Sequence, residues 1–364
     1  MRILLTGATG AIGSTFLQKL VDLDHPDLQI VAVSRKTRVN GPCILAQGDL
    51  RSYSDVSRIG AEFGPFDATV HLAADVRWNL SAEMAEENNV LSSHNIKKML
   101  EATSPRSKLI FVSTAFASSP MVMERNNPFF IRSGNKEFNN SYEYSKYESE
   151  KIFKESQLDH VIVRPSLVIG DLENGSISSF NGIYTIIKSI NKGLLPAIVG
   201  DPNGLIDMAP VDKVAEAIME CLLDDSRIGQ TIEVVSGGSA IRVRQVLDTV
   251  VKTVNSFKEK FGEEPEILQE FVPPDRYFRA FRPLLSKAVS GHRMKYLNQL
   301  EAFVPYLNIT TPFQADASVY DSSSAALQNL EMSTIFWCTR NRNPLPAFAY
   351  GGTRLIREAY PLDT

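Results

Sequence analysis

The sequence has few of the residues that build disulfide frameworks or metal clusters. Its 364 residues include only three cysteines, Cys43, Cys221 and Cys338, without disulfide-framework or metal-ligand spacing. This pattern favours a reducing compartment such as the cytoplasm. The five histidines are scattered without a partner at ligand spacing, so we expect no metal site.

Long apolar runs and an excess of positive charge are also missing. No run reaches the roughly 20 apolar residues that a membrane-spanning helix needs. The net charge of −4 gives no reason to expect nucleic acid as a partner. Hydrophobic residues make up 43% and charged residues 22%, which is ordinary for a globular protein. We therefore expect a cytoplasmic globular protein with one large core, or a core with a smaller lobe.

The first thirteen residues predict a nucleotide-binding turn. An apolar run over 2–6 is typical of a buried strand, and Gly7, Gly10 and Gly13 follow it. Apolar residues at helical spacing beyond Gly10 predict a helix there. Gly7 would allow the tight turn, Gly10 would admit a pyrophosphate, and Gly13 would let helix and strand pack closely. The predicted cradle, at the N-terminus of the helix, consists of Gly7, Thr9, Gly10, Ala11, Ile12 and Gly13.

Strands and helices alternate over the first half of the chain. Strands are predicted over 29–33, 43–47, 67–72, 108–113, 160–164 and 230–235, with helices over 54–63 and 81–102 among those between them. The alternation predicts an α/β fold with a Rossmann-type, doubly wound parallel sheet. Its ligands would collect beyond the strand ends, where Ala73, Ala74 and Thr114 lie.

The regular alternation stops after Gly170. A helix is predicted over 183–190, and another begins near Asp212, which we expect to be its N-cap. We therefore predict a dinucleotide-binding domain over 1–170, to which 211–236 return. Residues 171–210 and 237–364 would form a smaller, largely helical substrate-binding lobe.

The segment after the second strand bears on the choice of cofactor. An acidic residue there would bind the ribose of NAD, whereas arginine accommodates the 2′-phosphate of NADP. This chain has Arg35 and Lys36 and no carboxylate, which favours NADPH over a merely solvated basic loop. Asp49 and its neighbour Leu50, after the third strand, would lie at the adenine.

A tyrosine and a lysine predict proton-transfer chemistry. Tyr142 and Lys146 are four residues apart, so on a helix they share a face. A nearby ammonium favours the phenolate, and we expect Lys146 to lower the pKa of Tyr142 towards neutrality. Tyr142 would exchange a proton with a carbonyl or alcohol oxygen, and Thr114 would orient that oxygen. An exposed helical pair without function, or the pair Tyr147 and Lys151, also fits the spacing.

These motifs, in this order, resemble the extended short-chain dehydrogenase/reductase family. The matching segments are Thr6–Gly13, Gly48-Asp49-Leu50, His71–Ala74, Asn89-Val90, Ser113-Thr114, Tyr142–Lys146, Arg164-Pro165-Ser166 and Pro210-Val211-Asp212. The resemblance implies that Thr114, Tyr142 and Lys146 are catalytic and that Lys146 also contacts the nicotinamide ribose. It further implies that Pro165 and Ser166 lie at the cofactor.

A narrower resemblance concerns the fatty acyl-CoA reductases and the thioester reductase domains of carboxylic acid reductases. It rests on the segments 71–79, 111–116, 192–212 and 306–313. It implies reduction of an acyl-CoA or a carrier-bound acyl thioester by NADPH. Reduction of a long-chain aldehyde or ketone is the related possibility. The alternatives are a nucleotide-sugar epimerase or dehydratase, another carbonyl reductase of the family, or a non-enzymatic NADP sensor.

Residues 274–296 interleave basic and apolar side chains. This segment is either a basic lid for the phosphates of an acyl carrier, a peripheral membrane contact, or an amphipathic helix with a solvated face. A homodimer is a further interaction that we consider. No segment predicts contact with nucleic acid.

Overall fold

The computed structural model describes residues 1–35, 39, 41–119, 121–123, 125, 127–194, 198–267, 270–288, 291–315 and 317–341. Within these, the strands are β1 Arg2–Thr6, β2 Gln29–Ser34, β3 Ile44–Gln47, β4 Ala68–His71, β5 Lys108–Val112, β6 Ile131–Ser133, β7 Lys136–Phe138, β8 His160–Pro165, β9 Leu167–Ile169, β10 Ile198–Val199, β11 Leu205–Ile206, β12 Met208–Pro210, β13 Thr231–Val234, β14 Ile241–Arg242 and β15 Phe271–Val272.

The α-helices within the described ranges are α1 Ala11–Asp22, α2 Tyr53–Phe63, α3 Ala82–Ala85, α4 Leu91–Thr103, α5 Ser141–Lys154, α6 Tyr184–Asn191, α7 Val211–Leu223, α8 Val243–Glu259, α9 Pro274–Arg276, α10 Arg282–Ala288, α11 His292–Glu301 and α12 Ser323–Asn341. Short 3-10 helices occupy Ala115–Ser118, Asp225–Arg227, Gly237–Ser239 and Val304–Leu307. Single π-helical turns occupy Glu86–Val90 and Tyr277–Phe281.

The central sheet of the described chain has seven strands in the order β13-β8-β5-β4-β1-β2-β3. All six pairings are parallel, and Leu5 of β1 lies between Ala32 of β2 and Val70 of β4. The strands are short, almost wholly apolar runs because helices cover both faces. This is the predicted Rossmann-type doubly wound sheet, with β13 extending it at one edge.

Each face of the sheet carries its own buried core. On one face α1 and α7 pack together, with Phe16, Leu20 and Ile218 fully buried. On the other face α2, α4 and α5 bury Ile59, Leu100 and Phe153. Helices therefore cover both faces of the sheet, and the carboxyl-terminal ends of the strands stay uncovered.

A third core lies among the later helices. There α12 packs along α8 and α6 contacts both, so that the C-terminal region is largely helical, as predicted. Phe116, just past β5, joins this core, which therefore continues to the carboxyl-terminal edge of the sheet. The division into a nucleotide-binding domain and a substrate-binding lobe stays a prediction, and residues 342–364 of that lobe lie outside the described residues.

Two local predictions differ from the structure. The predicted helix over 81–102 comprises α3, the π-helical turn at Glu86–Val90 and α4, and this turn inserts an extra residue into the helix. Asp212 is not the N-cap of α7, which begins at Val211 after Pro210. The Asp212 carboxylate instead accepts a hydrogen bond of 3.2 Å from the backbone amide of Leu172.

Candidate active site

A cavity of about 820 Å³ opens at the carboxyl-terminal end of the sheet, within the size range of small-molecule sites. The predicted site residues that line it are Gly7, Thr9, Gly10, Ala11, Ile12, Gly13, Arg35, Asp49, Leu50, Ala73, Ala74, Thr114, Tyr142, Lys146, Pro165 and Ser166. Lys36 lies outside the described residues. Residues from the ends of six strands, β1, β2, β3, β4, β5 and β8, and from helices α1 and α5 thus meet in one cavity.

In the turn after β1, Gly7 and Gly13 are packed too tightly against backbone atoms to carry a side chain. Gly7 has a φ of +75°, and a Cβ there would lie 2.7 Å from the amide nitrogen of Ala73. A Cβ on Gly13 would lie 2.1 Å from the Gly7 carbonyl oxygen. Gly10 precedes α1 without a side-chain cap, so amides of the first turn remain available to an anion. The turn therefore fits a pyrophosphate.

The end of the cavity next to β2 and β3 is bordered by two arginines. Arg35 is exposed directly after β2. Arg51 holds the Asp49 carboxylate, with Nη2 2.7 Å from Oδ2, and its hydrogen bonds keep the pKa of Asp49 below the ordinary range. Sequence reasoning missed Arg51, although a basic residue directly after Gly48-Asp49-Leu50 was its signal. Arg51 also lies 3.6 Å from the Glu87 carboxylate, so two arginines and two carboxylates line this end of the cavity.

Helix α5 contains three tyrosines, Tyr142, Tyr144 and Tyr147, and Tyr142 lines the cavity. The Asn140 side chain caps the helix by accepting a 3.0 Å hydrogen bond from the Glu143 amide. One turn of helix then places Tyr142 and Lys146 on the cavity wall. Tyr144 and Tyr147 pack on Phe138 instead, with ring centroids 5.7 and 5.2 Å away. The placement favours Tyr142 over the alternative pair with Tyr147.

The Lys146 ammonium is buried against β5. Its Nζ donates a hydrogen bond of 2.7 Å to the Val112 carbonyl and lies 4.6 Å from the centre of the Phe111 ring. Burial lowers the pKa of Lys146 to about 7, while the Glu150 carboxylate opposes the shift. Lys146 therefore gains and loses its charge near neutral pH.

The pKa of Tyr142 moves in the direction opposite to the one expected. Burial raises it well above the usual value of 10, and the neighbouring Glu143 carboxylate adds to the rise. The expectation that Lys146 lowers it is wrong for this structure, because the lysine is itself desolvated and directed at Val112. Tyr142 is consequently protonated at neutral pH and can donate a hydrogen bond or a proton.

Thr114 follows β5 and caps the short 3-10 helix at Ala115–Ser118. Its hydroxyl donates to the Pro165 carbonyl and accepts from the Phe116 amide, both over 3.4 Å. Hydrogen bonds of this length are weak, so the hydroxyl is available to a ligand oxygen. Pro165 ends β8, and Ser166 lies between β8 and β9.

Trp78 lines the cavity, and the buried Asn89 holds Asp75, which also lines it. The Trp78 ring stacks on the Tyr306 ring with centroids 3.9 Å apart, and its centroid lies 4.5 Å from that of Phe303. Asn89, in the π-helical turn, accepts from the Asp75 amide at 2.7 Å and donates to the Ser145 hydroxyl at 2.9 Å. Sequence reasoning assigned Trp78 no role, because its stacking partners are more than 200 residues away in the chain.

Known proteins resemble this chain in sequence. The family model described as male sterility protein matches residues 56–218. L-2-aminoadipate reductase of Schizosaccharomyces pombe is 22% identical over 332 residues, which cover 78% of this chain and 22% of that protein. Human fatty acyl-CoA reductase 2 is 22% identical over 279 residues, covering 60% of this chain and 53% of that protein. The chain thus spans about a fifth and about half of these two relatives.

A solved structure resembles the fold over almost its full length. The terminal R domain from the myxalamid PKS-NRPS biosynthetic pathway has a TM-score of 0.67 and 20% identity, covering 94% of this chain and 92% of that one. At this identity the likeness shows the fold. In sequence this chain is thus similar to an L-2-aminoadipate reductase and a fatty acyl-CoA reductase, and in fold it is similar to that terminal R domain.

Proposed function

We propose that this protein is an NADPH-dependent reductase of an acyl thioester, either acyl-CoA or carrier-bound, or of the related long-chain aldehyde or ketone. The observation that carries the proposal is a single cavity containing the glycine cradle, an end lined by Arg35 and Arg51, and Tyr142 with Lys146 and Thr114. A nucleotide held in the cradle by its pyrophosphate would place its nicotinamide beside these three residues.

NADPH fits the charge at the adenosine end. Arg35 is exposed there, and Arg51 lies 2.7 Å from Asp49 and 3.6 Å from Glu87, so both of these carboxylates have a guanidinium beside them. A guanidinium binds phosphate through paired hydrogen bonds. Arg35 and Arg51 are therefore the residues that we assign to the 2′-phosphate, together with the predicted Lys36.

An acyl chain fits the walls of the cavity. Trp78 and Phe116 line it with aromatic surface, and Val76 and Met84 line it while remaining 40% and 44% exposed. Apolar side chains exposed to water at the mouth of a site are unfavourable, and an apolar ligand that covers them would remove this unfavourable exposure. The lining therefore supports a substrate with a long hydrocarbon chain.

The chain's own residues orient the carbonyl and supply the proton. When bound, the nicotinamide supplies a hydride to the carbonyl carbon. Thr114 and Tyr142 would donate hydrogen bonds to the carbonyl oxygen, and the Tyr142 proton would transfer to it as the oxygen becomes negative. Lys146 would hold the nicotinamide ribose and, when charged, stabilise the phenolate that remains.

With a thioester, the first reduction gives a hemithioacetal on the substrate. Its carbon–sulfur bond then breaks, the sulfur leaves as a thiol with the hydroxyl proton, and an aldehyde forms. Once NADP⁺ has been exchanged for a second NADPH, the aldehyde carbonyl can occupy the same position and accept a second hydride and proton, giving the alcohol. Tyr142 must be protonated again before that second step.

The setting of the protein in the cell is also a proposal. Three free cysteines fit a reducing compartment such as the cytoplasm. Among the helices that the structure describes, none combines the length and apolarity of a membrane span.

The proposed role of Tyr142 predicts a separation of binding from turnover. Replacing Tyr142 by Phe removes the proton donor while keeping the ring, so turnover of an aldehyde or acyl-CoA should fall by about 10²- to 10⁴-fold. NADPH affinity, measured by fluorescence titration, should stay unchanged. Tyr147→Phe is the matched control and should turn over normally, since Tyr147 packs on Phe138. Undiminished turnover in Tyr142→Phe would refute the assignment.

A further inference from the structure

A second cavity lies among the later helices, beside the one at the end of the sheet. It has a volume of about 40 Å³, and residues of α6, α8 and α11 contribute to its lining. The side chains used in the argument below are those of Leu297, Phe303, Tyr277 and Glu301. Since each water-sized group needs about 15 Å³ of such space, the cavity has room for about three methylene groups.

The lining of this second cavity is apolar apart from one paired set of polar groups. Among the described residues that line it, Tyr277 and Glu301 are the two with polar side chains. The Tyr277 hydroxyl donates to Glu301 Oε1 over 3.0 Å, and Arg282 Nε lies 2.6 Å from the same oxygen. These groups already bind one another. A hydrocarbon group therefore fits the cavity better than water, which needs several polar partners.

A pair of aromatic rings forms the wall between the two cavities. Phe303 lines the second cavity, and its ring centroid lies 4.5 Å from that of Trp78. Trp78 in turn lines the active-site cavity. Phe303 is buried, so its ring fills the space between Trp78 and the second cavity. A change at Phe303 is thus a change in the separation of the two cavities.

An aromatic surface extends from the proposed carbonyl site to this wall. Phe116 lies two residues after Thr114 and lines the active-site cavity. Its ring centroid lies 4.8 Å from that of Tyr306, which stacks on Trp78 at 3.9 Å. A hydrocarbon chain with its carbonyl at Thr114 would follow these rings to Trp78 and Phe303.

We propose that the second cavity binds the far end of the substrate's hydrocarbon chain and that Phe303 sets the chain length that reaches it. The inference rests on the proposed function, in which the substrate carries such a chain. Short chains would end at Trp78, whereas longer chains would enter the second cavity when the Phe303 ring turns aside. Phe303 is therefore a specificity-determining residue without a part in proton transfer.

Chain-length profiles with aldehydes from hexanal to octadecanal test this role. Phe303→Ala removes the ring and extends the second cavity to Trp78. The kcat/KM for the longest aldehydes, relative to hexanal, should rise by roughly 10- to 50-fold. Each methylene that leaves water contributes about fourfold, and the cavity holds about three. The gain should appear in KM, because the far end of the chain is bound equally before and during the reaction.

Leu297→Phe should act in the opposite direction, because the larger side chain fills the second cavity from α11. Alone, it should lower the kcat/KM for the longest aldehydes relative to hexanal. In the double variant Phe303→Ala/Leu297→Phe, the gain of the single Phe303→Ala substitution should disappear. Leu297→Phe keeps the Phe303 ring, so it tests the subsite even if Phe303→Ala does not fold.

Phe257→Ala is the matched control. Phe257 is buried in the same core but lines neither cavity, so its loss should lower stability without altering the chain-length ratio. An unaltered ratio in folded Phe303→Ala, or in Leu297→Phe if Phe303→Ala does not fold, would overturn the proposal. So would a gain that persists in the double variant or occurs equally in Phe257→Ala, because it would reflect a loosened core.

A binding measurement separates this inference from the proposed function. Hexanol and dodecanol are titrated into the cofactor-free protein and followed by tryptophan fluorescence, to which Trp78 contributes from the cavity wall. If the unaltered protein reduces no aldehyde or acyl-CoA, the proposed function fails. The affinity for dodecanol relative to hexanol should nevertheless rise in Phe303→Ala and fall back in the double variant. An unchanged affinity ratio would overturn the subsite.

Discussion

At the scale of single residues, the cavity is organised by where charge is buried and where it is exposed. Lys146 is buried and its pKa falls to about 7, whereas Arg35 stays exposed and charged at the other end. A buried base that titrates near neutrality suits proton transfer, and an exposed guanidinium suits anion binding. The two ends therefore suit different chemistry, although both carry basic residues.

The cofactor preference can be tested at Arg35. Arg35→Ser removes a charged partner of the 2′-phosphate, so the KM for NADPH should rise by about 10- to 100-fold, the equivalent of one or two charge-assisted hydrogen bonds. The KM for NADH should change little, since NADH has no 2′-phosphate. Steady-state kinetics with both cofactors measure the ratio.

Arg58→Ser provides the control for this substitution. Arg58 lies nearby on α2 but donates to the Gln47 carbonyl and pairs with Glu62, outside the cavity lining. Its kinetics should match those of the unaltered protein. An equal loss of NADPH and NADH affinity in Arg35→Ser would contradict a phosphate contact at this residue.

Residue spacing predicted the components of the site but not their electrostatics. Tyr142 and Lys146 were found because an i, i+4 pair on a helix shares a face. The direction of the Tyr142 pKa was predicted wrongly, because spacing contains no information on burial. The Glu143–Tyr306 hydrogen bond was also missed, since it joins residues 163 positions apart.

At the scale of elements, the strand–turn–helix unit is the most closely packed part of the site. The first turn of α1 approaches β1 so closely that the Gly7 carbonyl occupies the space of a Gly13 side chain. This contact fixes the helix N-terminus over the end of the strand, where the pyrophosphate would bind. The glycine pattern in the sequence is informative because glycine at positions 7 and 13 is what allows the helix to lie so close to the strand.

Gly13→Ala should therefore both destabilise the protein and weaken cofactor binding. The added methyl group forces α1 away from β1, at a cost of about 1–3 kcal/mol typical of overpacking. Urea unfolding measures the loss of stability, and NADPH titration measures the loss of affinity. Gly238→Ala is the control, because a Cβ there meets no atom within 4 Å. Unchanged NADPH affinity in Gly13→Ala would show that the turn does not hold the cofactor.

Element bounds were predicted well where hydrophobic periodicity was strong. The strands of the central sheet begin and end within two residues of the predicted limits. The π-helical turn at Glu86–Val90 could not be predicted, because it depends on Asn89 bridging Asp75 and Ser145 across the fold. Asp212 was assigned to the wrong cap position, since Pro210 already provides the extended residue before α7.

At the scale of the whole molecule, an aromatic cluster joins the C-terminal region to the sheet. Trp78 stacks on Tyr306, whose ring also meets the edge of Phe116 at 4.8 Å. These contacts connect the cavity wall with the core beneath α8 and α12. Substrate binding and the packing of the C-terminal region should therefore respond to the same substitutions.

Trp78→Ala tests this connection. Loss of a half-buried indole should lower the free energy of unfolding by about 2–3 kcal/mol, below the cost at a fully buried site. The KM for a long-chain substrate should rise as well, because the residue lines the cavity. Phe281→Ala, at an aromatic residue that is 40% exposed outside the cavity lining, should change neither quantity appreciably. A Trp78→Ala protein with unaltered KM would exclude the tryptophan from the substrate wall.

The parallel sheet and its edge strand β13 were predictable, because each strand is a local apolar run. The arrangement of the later helices was not, because α8 and α12 pack together across more than 60 intervening residues. The local periodicity of apolar residues carries no information about contacts between helices that are distant in the sequence. The contact of Tyr306 with Glu143 of α5 follows only from the folded chain.

The most direct test of the account is cofactor oxidation with thioester and aldehyde substrates side by side. NADPH and NADH are each mixed with acyl-CoAs of several chain lengths and with the matching aldehydes, while free thiol and products are quantified. The account predicts consumption of NADPH in preference to NADH, thiol release from acyl-CoA, and faster turnover of longer chains. Turnover of aldehydes alone would remove thioesters from the proposal. NADPH binding without oxidation by any of these substrates would contradict it.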